Sequence, residues 1–93
     1  MAQAKQVVRE LSLLNKLGLH ARPASLFAKT ASKYVADITV SKGGHTSDAK
    51  SVIGLLMLAA EQGVTIVVTA TGEDAEEAVN ALEELIENKF GED

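Results

Sequence analysis

Apolar and polar residues alternate with the two-residue period of a strand in two parts of the chain, residues 5–14 and 64–71. The alternation in the second part is nearly complete, whereas the charged Arg9 falls on the apolar face of the first part and interrupts it. Both parts are therefore predicted to be strands with one buried face. The residues on these apolar faces are Val7, Leu11 and Leu13 in the first strand, and Val64, Ile66, Val68 and Ala70 in the second.

Two further strands are predicted on either side of the dipeptide Gly43-Gly44, over residues 36–42 and 45–50. A pair of glycines supplies the positive φ angles that a tight hairpin turn requires. The pattern therefore predicts an antiparallel hairpin. Its inward residues are expected to be Ile38 and Val40.

The helical period predicts a first helix over residues 21–33 and a last helix that begins after Asp74. Pro23 suits the first turn of the first helix, because its missing N–H group would have no partner there in any residue. Asp74 followed by Glu77 has the pattern of a capping box, in which each side chain accepts the other residue's backbone N–H. The apolar stripes are Ala24, Phe27, Ala28 and Ala31 in the first helix, and Ala75, Ala78, Val79, Leu82, Leu85 and Ile86 in the last.

A short middle helix is predicted over residues 52–61, with Ser51 as its N-cap and Gly63 as its C-terminal stop. Residues 52–60 are apolar on almost every side, although a short helix on a sheet buries only about half of its circumference. Either neighbouring loops cover the remaining apolar side chains, or the helix presents an exposed patch of the kind that docks a partner protein. The residues expected in this patch are Val52, Ile53 and Leu56, while Leu55 and Leu58 are expected in the core.

The order of the predicted elements is β-α-β-β-α-β-α, within a chain of 93 residues. This length is typical of one domain, which we take to span residues 1–93. Because each helix must bury an apolar stripe, the elements predict an α+β fold in which three helices cover one face of a four-stranded antiparallel sheet. The other face of the sheet would meet water. Apolar residues make up 46% of the chain and aromatic residues only 3%, so the core is expected to be aliphatic.

Composition and charge argue against several classes of function. The net charge of −4 and the absence of a basic tail disfavour nucleic-acid binding, which needs Lys and Arg at the phosphates. No apolar run approaches the roughly 20 residues of a membrane span, and residues 1–10 lack the apolar core of a secretory signal. The chain has no cysteine, and so no disulfide or thiolate site. We therefore expect a soluble, cytoplasmic protein that binds no nucleic acid and does not insert into a membrane.

The segment Gly18-Leu19-His20-Ala21-Arg22-Pro23 holds the strongest candidate for chemistry. With Pro23 in the first turn, His20 lies just before the helix, where unpaired backbone N–H groups and the helix dipole present partial positive charge. This environment disfavours an imidazolium and keeps His20 a neutral nucleophile, while it favours the charge of an attached phosphoryl group. The guanidinium of Arg22 adds paired donors for phosphate oxygens. These residues predict a site that accepts phosphate.

A purely structural interpretation of the same residues stays open: His20 as a surface residue or imperfect helix cap, and Arg22 as a solvated charge. The other histidine, His45, adjoins the hairpin turn and is expected to be solvated. Neither a glycine-rich phosphate loop nor a plausible metal cluster accompanies His20, so no cofactor is expected. A site that accepts phosphate without means to cleave it is typical of a carrier and not of an enzyme.

Ser51 is explained first by its role as an N-cap. A phosphate on Ser51 would also interact favourably with the helix N-terminus. It would add almost two negative charges beside Val52, Ile53 and Leu56. Phosphorylation of Ser51 is therefore a hypothesis for the regulation of partner binding.

Two segments of the sequence resemble the HPr family, the histidine-containing phosphocarriers of the bacterial phosphotransferase system. Asn15-Lys16-Leu17-Gly18-Leu19-His20-Ala21-Arg22-Pro23-Ala24 is similar to the family's active-site segment, and Ala49-Lys50-Ser51-Val52-Ile53-Gly54 is similar to its regulatory-serine segment. The spacing between the two segments also matches, and the likeness extends from about Val7 to Ile86. The resemblance implies an open-faced β-sandwich of four antiparallel strands and three helices.

The resemblance also implies roles for single residues. His20 would be phosphorylated on Nδ1 by enzyme I, itself charged from phosphoenolpyruvate, and enzyme IIA domains would receive the group. Arg22 would stabilise the phosphate, and Ser51 would be modified by an HPr kinase in bacteria that have one. The residues that fall where family members contact partners are Leu19, Val52, Ile53 and Leu56.

Three features depart from the family pattern. They are a slightly longer N-terminus, Gly43-Gly44 in place of a common Asn-Gly turn, and the acidic tail Gly91-Glu92-Asp93. None of these features is expected to touch the site.

Three functions remain open from the sequence. The first is the carrier of the sugar system. The second is the family's nitrogen-regulatory branch, whose members share the Asn-Lys-Leu-Gly opening and a Ser-Val-Ile segment followed by Leu-Leu-Met-Leu. The third is a regulatory module that docks through residues 52–56 and carries no phosphate. For all three, nothing in the sequence demands more than a monomer.

Overall fold

All of the predicted strands and helices form, and they follow the predicted order along the chain. The computed structural model describes residues 5–92, so the start of the longer N-terminus and the last residue of the acidic tail lie outside the described residues. A short 3-10 helix follows the last α-helix. The elements are β1 (Gln6–Ser12), α1 (Ala21–Ala31), β2 (Asp37–Lys42), β3 (His45–Asp48), α2 (Val52–Met57), β4 (Thr65–Thr71), α3 (Ala75–Glu87) and the 3-10 helix Lys89–Gly91.

The strands form one antiparallel sheet in the order β1-β4-β2-β3. The central strand β4 pairs with β1 along its whole length and with β2 on its other side. Apolar residues lie opposite one another on neighbouring strands, for example Leu11 with Ile66 and Val40 with Val68. They share one core with the apolar stripes of the helices. The predicted α+β fold, an open sheet with helices on one face, is confirmed.

Arg9 lies on the same side of β1 as the buried Leu11, which explains why it interrupted the strand pattern. Because β1 is at the edge of the sheet, the guanidinium can reach past the apolar layer. Nη1 of Arg9 donates to Oδ1 of Asn80 at 2.6 Å and to Oε1 of Glu83 at 2.8 Å, both on α3. The charged residue therefore ties the edge strand to the helix that covers it.

The hairpin turns through Gly43 and Gly44, and Lys42 pairs with His45 across it. Gly43 has a φ of +59°, but Gly44 does not have a positive φ, so the prediction of positive φ angles for the pair is wrong for Gly44. A single positive φ at the first turn position is the requirement of a type II′ turn. His45 is exposed, as predicted.

The helix α2 ends at Met57, well before the predicted end at residue 61. Leu58 is its C-cap, and Ala59 adopts a left-handed φ of +51°. The Nζ of Lys42 donates to the carbonyl oxygens of Leu58 and Ala59, at 2.9 and 3.1 Å. Carbonyl groups at a helix end lack intrahelical partners, and here a side chain from β2 supplies one. The helix α1 and the strand β3 also end slightly earlier than predicted.

Asp74 is the N-cap of α3, but its side chain makes no capping hydrogen bond, so the predicted capping box with Glu77 is wrong. The carboxylate instead accepts the backbone N–H groups of Val35 at 2.8 Å and Ala36 at 2.9 Å. Both N–H groups belong to the loop between α1 and β2. Asp74 therefore joins this loop to the start of α3.

We expect Asp74→Asn to lower the free energy of unfolding at neutral pH and to weaken the loss of stability in acid. The hydrogen bond from the N–H of Val35 is the largest influence that lowers the pKa of Asp74 below its ordinary value of 3.8, and the N–H of Ala36 acts in the same direction. Because the folded state prefers the carboxylate, the stabilisation is complete above the ordinary pKa and is lost as the pH falls through the lowered pKa of the folded protein.

Urea unfolding at neutral and strongly acid pH measures both effects of this substitution. Asp37→Asn, at an exposed position in β2, is the matched control. If Asp74→Asn has the same acid dependence as the unsubstituted protein, the role of Asp74 is contradicted.

Candidate functional site

His20 is the N-cap of α1, as predicted, with an extended backbone at φ −86° and ψ −171°. Its carbonyl oxygen accepts the N–H of Ala24 at 2.9 Å, and its own N–H donates to the carbonyl oxygen of Gly18 at 3.0 Å. The side chain makes no capping hydrogen bond. Since 35% of the side chain is exposed, the imidazole is accessible to a reactant. Because it makes no capping hydrogen bond, it is not needed to hold the helix.

The loop before His20 is held against the connection between α2 and β4. The N–H of Leu19 donates to the carbonyl oxygen of Ala60 at 2.9 Å. Gly18 has a φ of +62°, and a Cβ atom at this position would collide with the carbonyl oxygen of Ala60 and lie 2.8 Å from Cα of Glu61. Glycine allows this close approach of two backbones. The contact sets the direction in which the chain enters α1 and so the position of the imidazole.

The start of α1 presents positively polarised groups beside His20. Pro23 lies in the first turn and is buried. The N–H groups of Ala21 and Arg22 have no partners inside the helix, because no carbonyl group of the helix precedes them. The side chain of Arg22 is exposed and lines a shallow depression together with Lys16. His20, these backbone amides and the exposed Arg22 therefore lie at the same end of α1.

The acidic tail also reaches His20. Nε2 of His20 lies 3.2 Å from Oε2 and 3.4 Å from Oε1 of Glu92. The expectation that the tail would not touch the site is therefore wrong.

The backbone after α3 explains how the tail comes to the site. Lys89 and Phe90 adopt left-handed φ angles of +52° and +56°, which turn the chain sharply after the helix. Phe90 is buried in the common core. The N–H of Glu92 then donates to the carbonyl oxygen of Lys89 at 2.8 Å. The signal in the sequence was the isolated apolar Phe90 beyond the end of the helical stripe.

Asn15 braces the contact between the tail and the loop, and sequence reasoning assigned it no such role. Its side chain is fully buried, and it is the only buried polar or charged residue among residues 5–92. Nδ2 of Asn15 donates to the carbonyl oxygen of Gly18 at 2.8 Å and to Oε1 of Glu92 at 3.1 Å. One amide therefore links the loop before His20 to the carboxylate that contacts the imidazole.

These contacts favour the charged form of Glu92. The hydrogen bond from Asn15 is the largest influence that lowers the pKa of Glu92 below its ordinary value of 4.5. Partial burial opposes it, while the hydrogen bond and charge of His20 and the charge of Arg22 lower the pKa further. Glu92 is therefore a hydrogen-bond acceptor, and not a donor, toward His20 at neutral pH.

The residues proposed for partner contact have different exposures. Ile53 is 68% exposed and Leu56 is 37% exposed, while Val52 is half-buried against the core. Leu19 is only 3% exposed, so almost none of its surface is accessible to a partner, whereas its neighbour Leu17 is 69% exposed. The residues predicted to fill the core, Leu55 and Leu58, are buried.

His20 and part of the apolar surface belong to one region of the molecule. His20, Leu17 and Leu56 line the same shallow depression, together with Lys42. A partner that contacts the apolar side chains would therefore also lie against the imidazole.

Ser51 caps α2 as predicted, since its Oγ accepts the N–H of Gly54 at 3.0 Å. The residue remains half-exposed. A hydroxyl at this position is accessible and lies directly before the half-buried Val52 and the exposed Ile53.

Within residues 5–92, no three histidine or acidic side chains are grouped closely enough to hold a metal ion. Over the same range, no helix combines the length and the apolar character that crossing a bilayer requires.

Comparison with known proteins shows which family this chain resembles. Residues 7–88 match a family model described as the PTS HPr component phosphorylation site. The chain is 48% identical over 84 residues to phosphocarrier protein HPr of Xylella fastidiosa strain Temecula1, a match that covers 90% of this chain and 94% of the relative. It is 44% identical over 84 residues to phosphocarrier protein NPr of Shewanella violacea, covering 90% of this chain and 92% of the relative.

The fold is also similar to that of a solved structure. The crystal structure of HPr-C-His from Thermoanaerobacter tengcongensis superimposes with a TM-score of 0.87 at 47% sequence identity. The match covers 96% of this chain and 98% of the other.

Proposed function

This chain belongs to the HPr family of phosphocarrier proteins, and on that premise we propose that it accepts a phosphoryl group on His20 from enzyme I and passes it to enzyme IIA domains of the sugar phosphotransferase system. The observation that supports this proposal best is the accessible imidazole at the N-cap of α1, beside unpaired amides and Arg22. We also propose that the carrier acts in the cytoplasm as a monomer, without a cofactor.

The proposed transfer uses groups at the start of α1. The Nδ1 lone pair of His20 forms a bond to phosphorus, while the bond between phosphorus and the donor breaks and the donor's leaving atom keeps that electron pair. The N–H groups of Ala21 and Arg22 and the Arg22 guanidinium are donors for the phosphoryl oxygens. The acceptor domain then attacks phosphorus, and His20 recovers its lone pair. The chain is thus a stoichiometric carrier and not an enzyme.

Incubation with enzyme I and phosphoenolpyruvate tests this proposal. We expect one phosphoryl group on His20, labile in acid and stable in base, that disappears when an enzyme IIA domain is added. If neither the sugar-system nor the nitrogen-regulatory enzyme I labels the chain, the proposal is contradicted.

The nitrogen-regulatory branch of the family is the second candidate. The chain is 44% identical to an NPr protein and 48% identical to an HPr protein, each over 90% of its length. The identities therefore favour the nitrogen-regulatory branch almost as well as the sugar system. The same labelling experiment separates the two, because the rates with the two kinds of enzyme I are compared directly. Faster labelling by the nitrogen-regulatory enzyme I assigns the chain to that branch.

We expect Arg22→Ala to slow phosphoryl transfer without unfolding the protein. Arg22 is exposed in the first turn of α1, so its removal leaves the core intact. A hydrogen bond to a charged group contributes roughly 1–3 kcal/mol, which corresponds to a rate reduced about five-fold to 150-fold. Single-turnover transfer from enzyme I measures the effect.

Lys29→Ala is the matched control for Arg22→Ala, since it removes one positive charge from the last turn of the same helix. We expect this variant to transfer at the normal rate. Full activity of Arg22→Ala would contradict its proposed role.

The surface of Leu17, Val52, Ile53 and Leu56 is proposed to dock the partner proteins. This surface replaces the predicted one by exchanging the buried Leu19 for the exposed Leu17. Its proximity to His20, in the depression that Leu17 and Leu56 share with the imidazole, supports the proposal.

We expect Ser51→Asp to weaken the interaction with enzyme I, as phosphorylation by an HPr kinase would. Aspartate is also a good N-cap, so α2 is retained while a negative charge is added next to the docking surface. The KM for this chain in the enzyme I reaction measures the effect.

Two further variants separate charge from structure at Ser51. Ser51→Ala removes the cap without adding charge, and Ser12→Asp adds the same charge at an exposed position in β1. A KM that rises only in Ser51→Asp supports regulation at this serine. Unchanged kinetics in Ser51→Asp would remove Ser51 from the regulatory proposal.

A further inference from the structure

We propose that Glu92 is a positioning residue for phosphoryl transfer, which accepts the Nε2–H of His20 and so leaves Nδ1 as the unprotonated nucleophile. The inference rests on the proposed function. It assigns a role to a tail residue that lies beyond the residues matched by the family model, which end at residue 88.

The contact selects one nitrogen of the ring. Both oxygens of Glu92 lie near Nε2 of His20, at 3.2 and 3.4 Å. An ionised carboxylate accepts hydrogen bonds and cannot donate them. A neutral imidazole carries one proton, and the hydrogen bond made by one ring nitrogen determines which nitrogen carries it. The carboxylate therefore favours the tautomer with Nε2–H, in which Nδ1 keeps a free lone pair.

The carboxylate is itself held in place from two sides. The fully buried Asn15 donates to its Oε1 at 3.1 Å and also to the loop before His20. Phe90, buried in the core, anchors the tail. Because both anchors are buried, Glu92 is oriented by the fold, unlike a surface glutamate that samples many rotamers.

The contact also matches the change in charge during transfer. When Nδ1 forms its bond to phosphorus, the donor's bond to phosphorus breaks and its electron pair stays with the donor. The ring keeps its Nε2 proton and gains positive charge, so no proton has to leave His20. A carboxylate at Nε2 stabilises that developing charge from the side of the ring away from phosphorus.

A different role for Glu92 predicts the opposite result. Glu92 and Arg22 line the same depression, so the tail could act as a lid that competes with phosphate for the guanidinium. The contact with Nε2 and the buried brace from Asn15 favour the positioning role. Removal of a lid would accelerate transfer, whereas removal of a positioning group would slow it.

Two substitutions of Glu92 separate orientation of the ring from support of the tail. In Glu92→Gln the amide oxygen is needed as the acceptor for Asn15, so the amide NH2 faces Nε2 of His20 and donates to it. This arrangement favours the Nδ1–H tautomer, in which the nucleophilic lone pair is lost. Glu92→Ala only removes the preference of the His20 ring for the Nε2–H tautomer. Gln resembles Glu more closely in shape than Ala does, yet we expect Glu92→Gln to slow phosphoryl transfer more than Glu92→Ala.

The ring tautomer is read from the 15N chemical shifts of His20 in the unphosphorylated protein at mildly alkaline pH. We expect mainly Nε2–H in the unsubstituted chain, a smaller Nε2–H fraction in Glu92→Ala, and the smallest in Glu92→Gln. Single-turnover phosphorylation by enzyme I should be roughly three-fold to ten-fold slower in Glu92→Ala, and slower again in Glu92→Gln. Glu87→Ala, which removes an exposed glutamate of α3, should match the unsubstituted chain in both measurements.

The outcomes that overturn the inference are distinct. An unchanged tautomer in both variants, or a Glu92→Gln rate equal to or above that of Glu92→Ala, shows that Glu92 does not orient the ring. Faster transfer in Glu92→Ala identifies the tail as a lid. If the unsubstituted chain is not phosphorylated at all, the proposed function fails, while the chemical shifts still decide whether Glu92 sets the tautomer.

Discussion

Replacing His20 by Ala is expected to abolish phosphoryl acceptance while the fold remains intact. The imidazole makes no capping hydrogen bond, and the backbone of His20 begins the helix through its own carbonyl group. The side chain contributes only a partly exposed contact with Glu92. We therefore expect the free energy of unfolding to change by less than about 1 kcal/mol.

Labelling by enzyme I and phosphoenolpyruvate, together with urea unfolding, checks both halves of this prediction. His45→Ala is the matched control, because it removes the other histidine from an exposed position beside the hairpin turn. Residual labelling of His20→Ala would place the phosphoryl group elsewhere. If His20→Ala still regulates its partners normally, the chain is instead the binding module that docks without carrying phosphate.

Replacing Gly18 by Ala is expected to cause a large loss of stability. An L-residue at a left-handed φ costs about 1–2 kcal/mol. The added Cβ would also collide with the backbone of Ala60 and Glu61, and overpacking of this kind costs roughly 1–3 kcal/mol more. Because the same contact sets the entry into α1, we also expect slower phosphorylation in the fraction that folds.

Gly43→Ala separates the two contributions at Gly18. Gly43 has nearly the same φ, +59° against +62°, but a Cβ there would meet nothing within 4 Å. Urea unfolding of both variants measures the difference. Equal losses in the two variants would show that the close approach of the Gly18 loop to Ala60 contributes nothing to stability.

Most patterns that depend on near neighbours in the chain were read correctly from the sequence. The α3 stripe, the N-cap at Ser51 and the place of His20 before α1 all follow from spacing within one or two helical turns. The antiparallel hairpin follows from two adjacent glycines, although only Gly43 takes a positive φ. The resemblance to a known family added the identity of the chemistry, because accessible histidines at helix ends occur in many proteins.

Polar side chains that pair across the fold were read wrongly or missed. Asp74 has the pattern of a capping box, yet its carboxylate binds the N–H of Val35, a residue 39 positions away. Arg9 interrupted the apolar face of the first predicted strand, and the pattern gave no reason for it. The reason is that its guanidinium donates hydrogen bonds to Asn80 and Glu83 of α3.

The sequence by itself determined which faces are apolar, where most elements begin, and which histidine stands at a helix N-terminus. Only the tertiary structure decided that Leu19 is buried while Leu17 is exposed, that Lys42 supplies the carbonyl partner at the end of α2, and that the tail reaches the site. The reason is physical: periodicity reports burial along one element, whereas a hydrogen bond between His20 and Glu92, 72 positions apart, depends on how several elements pack together.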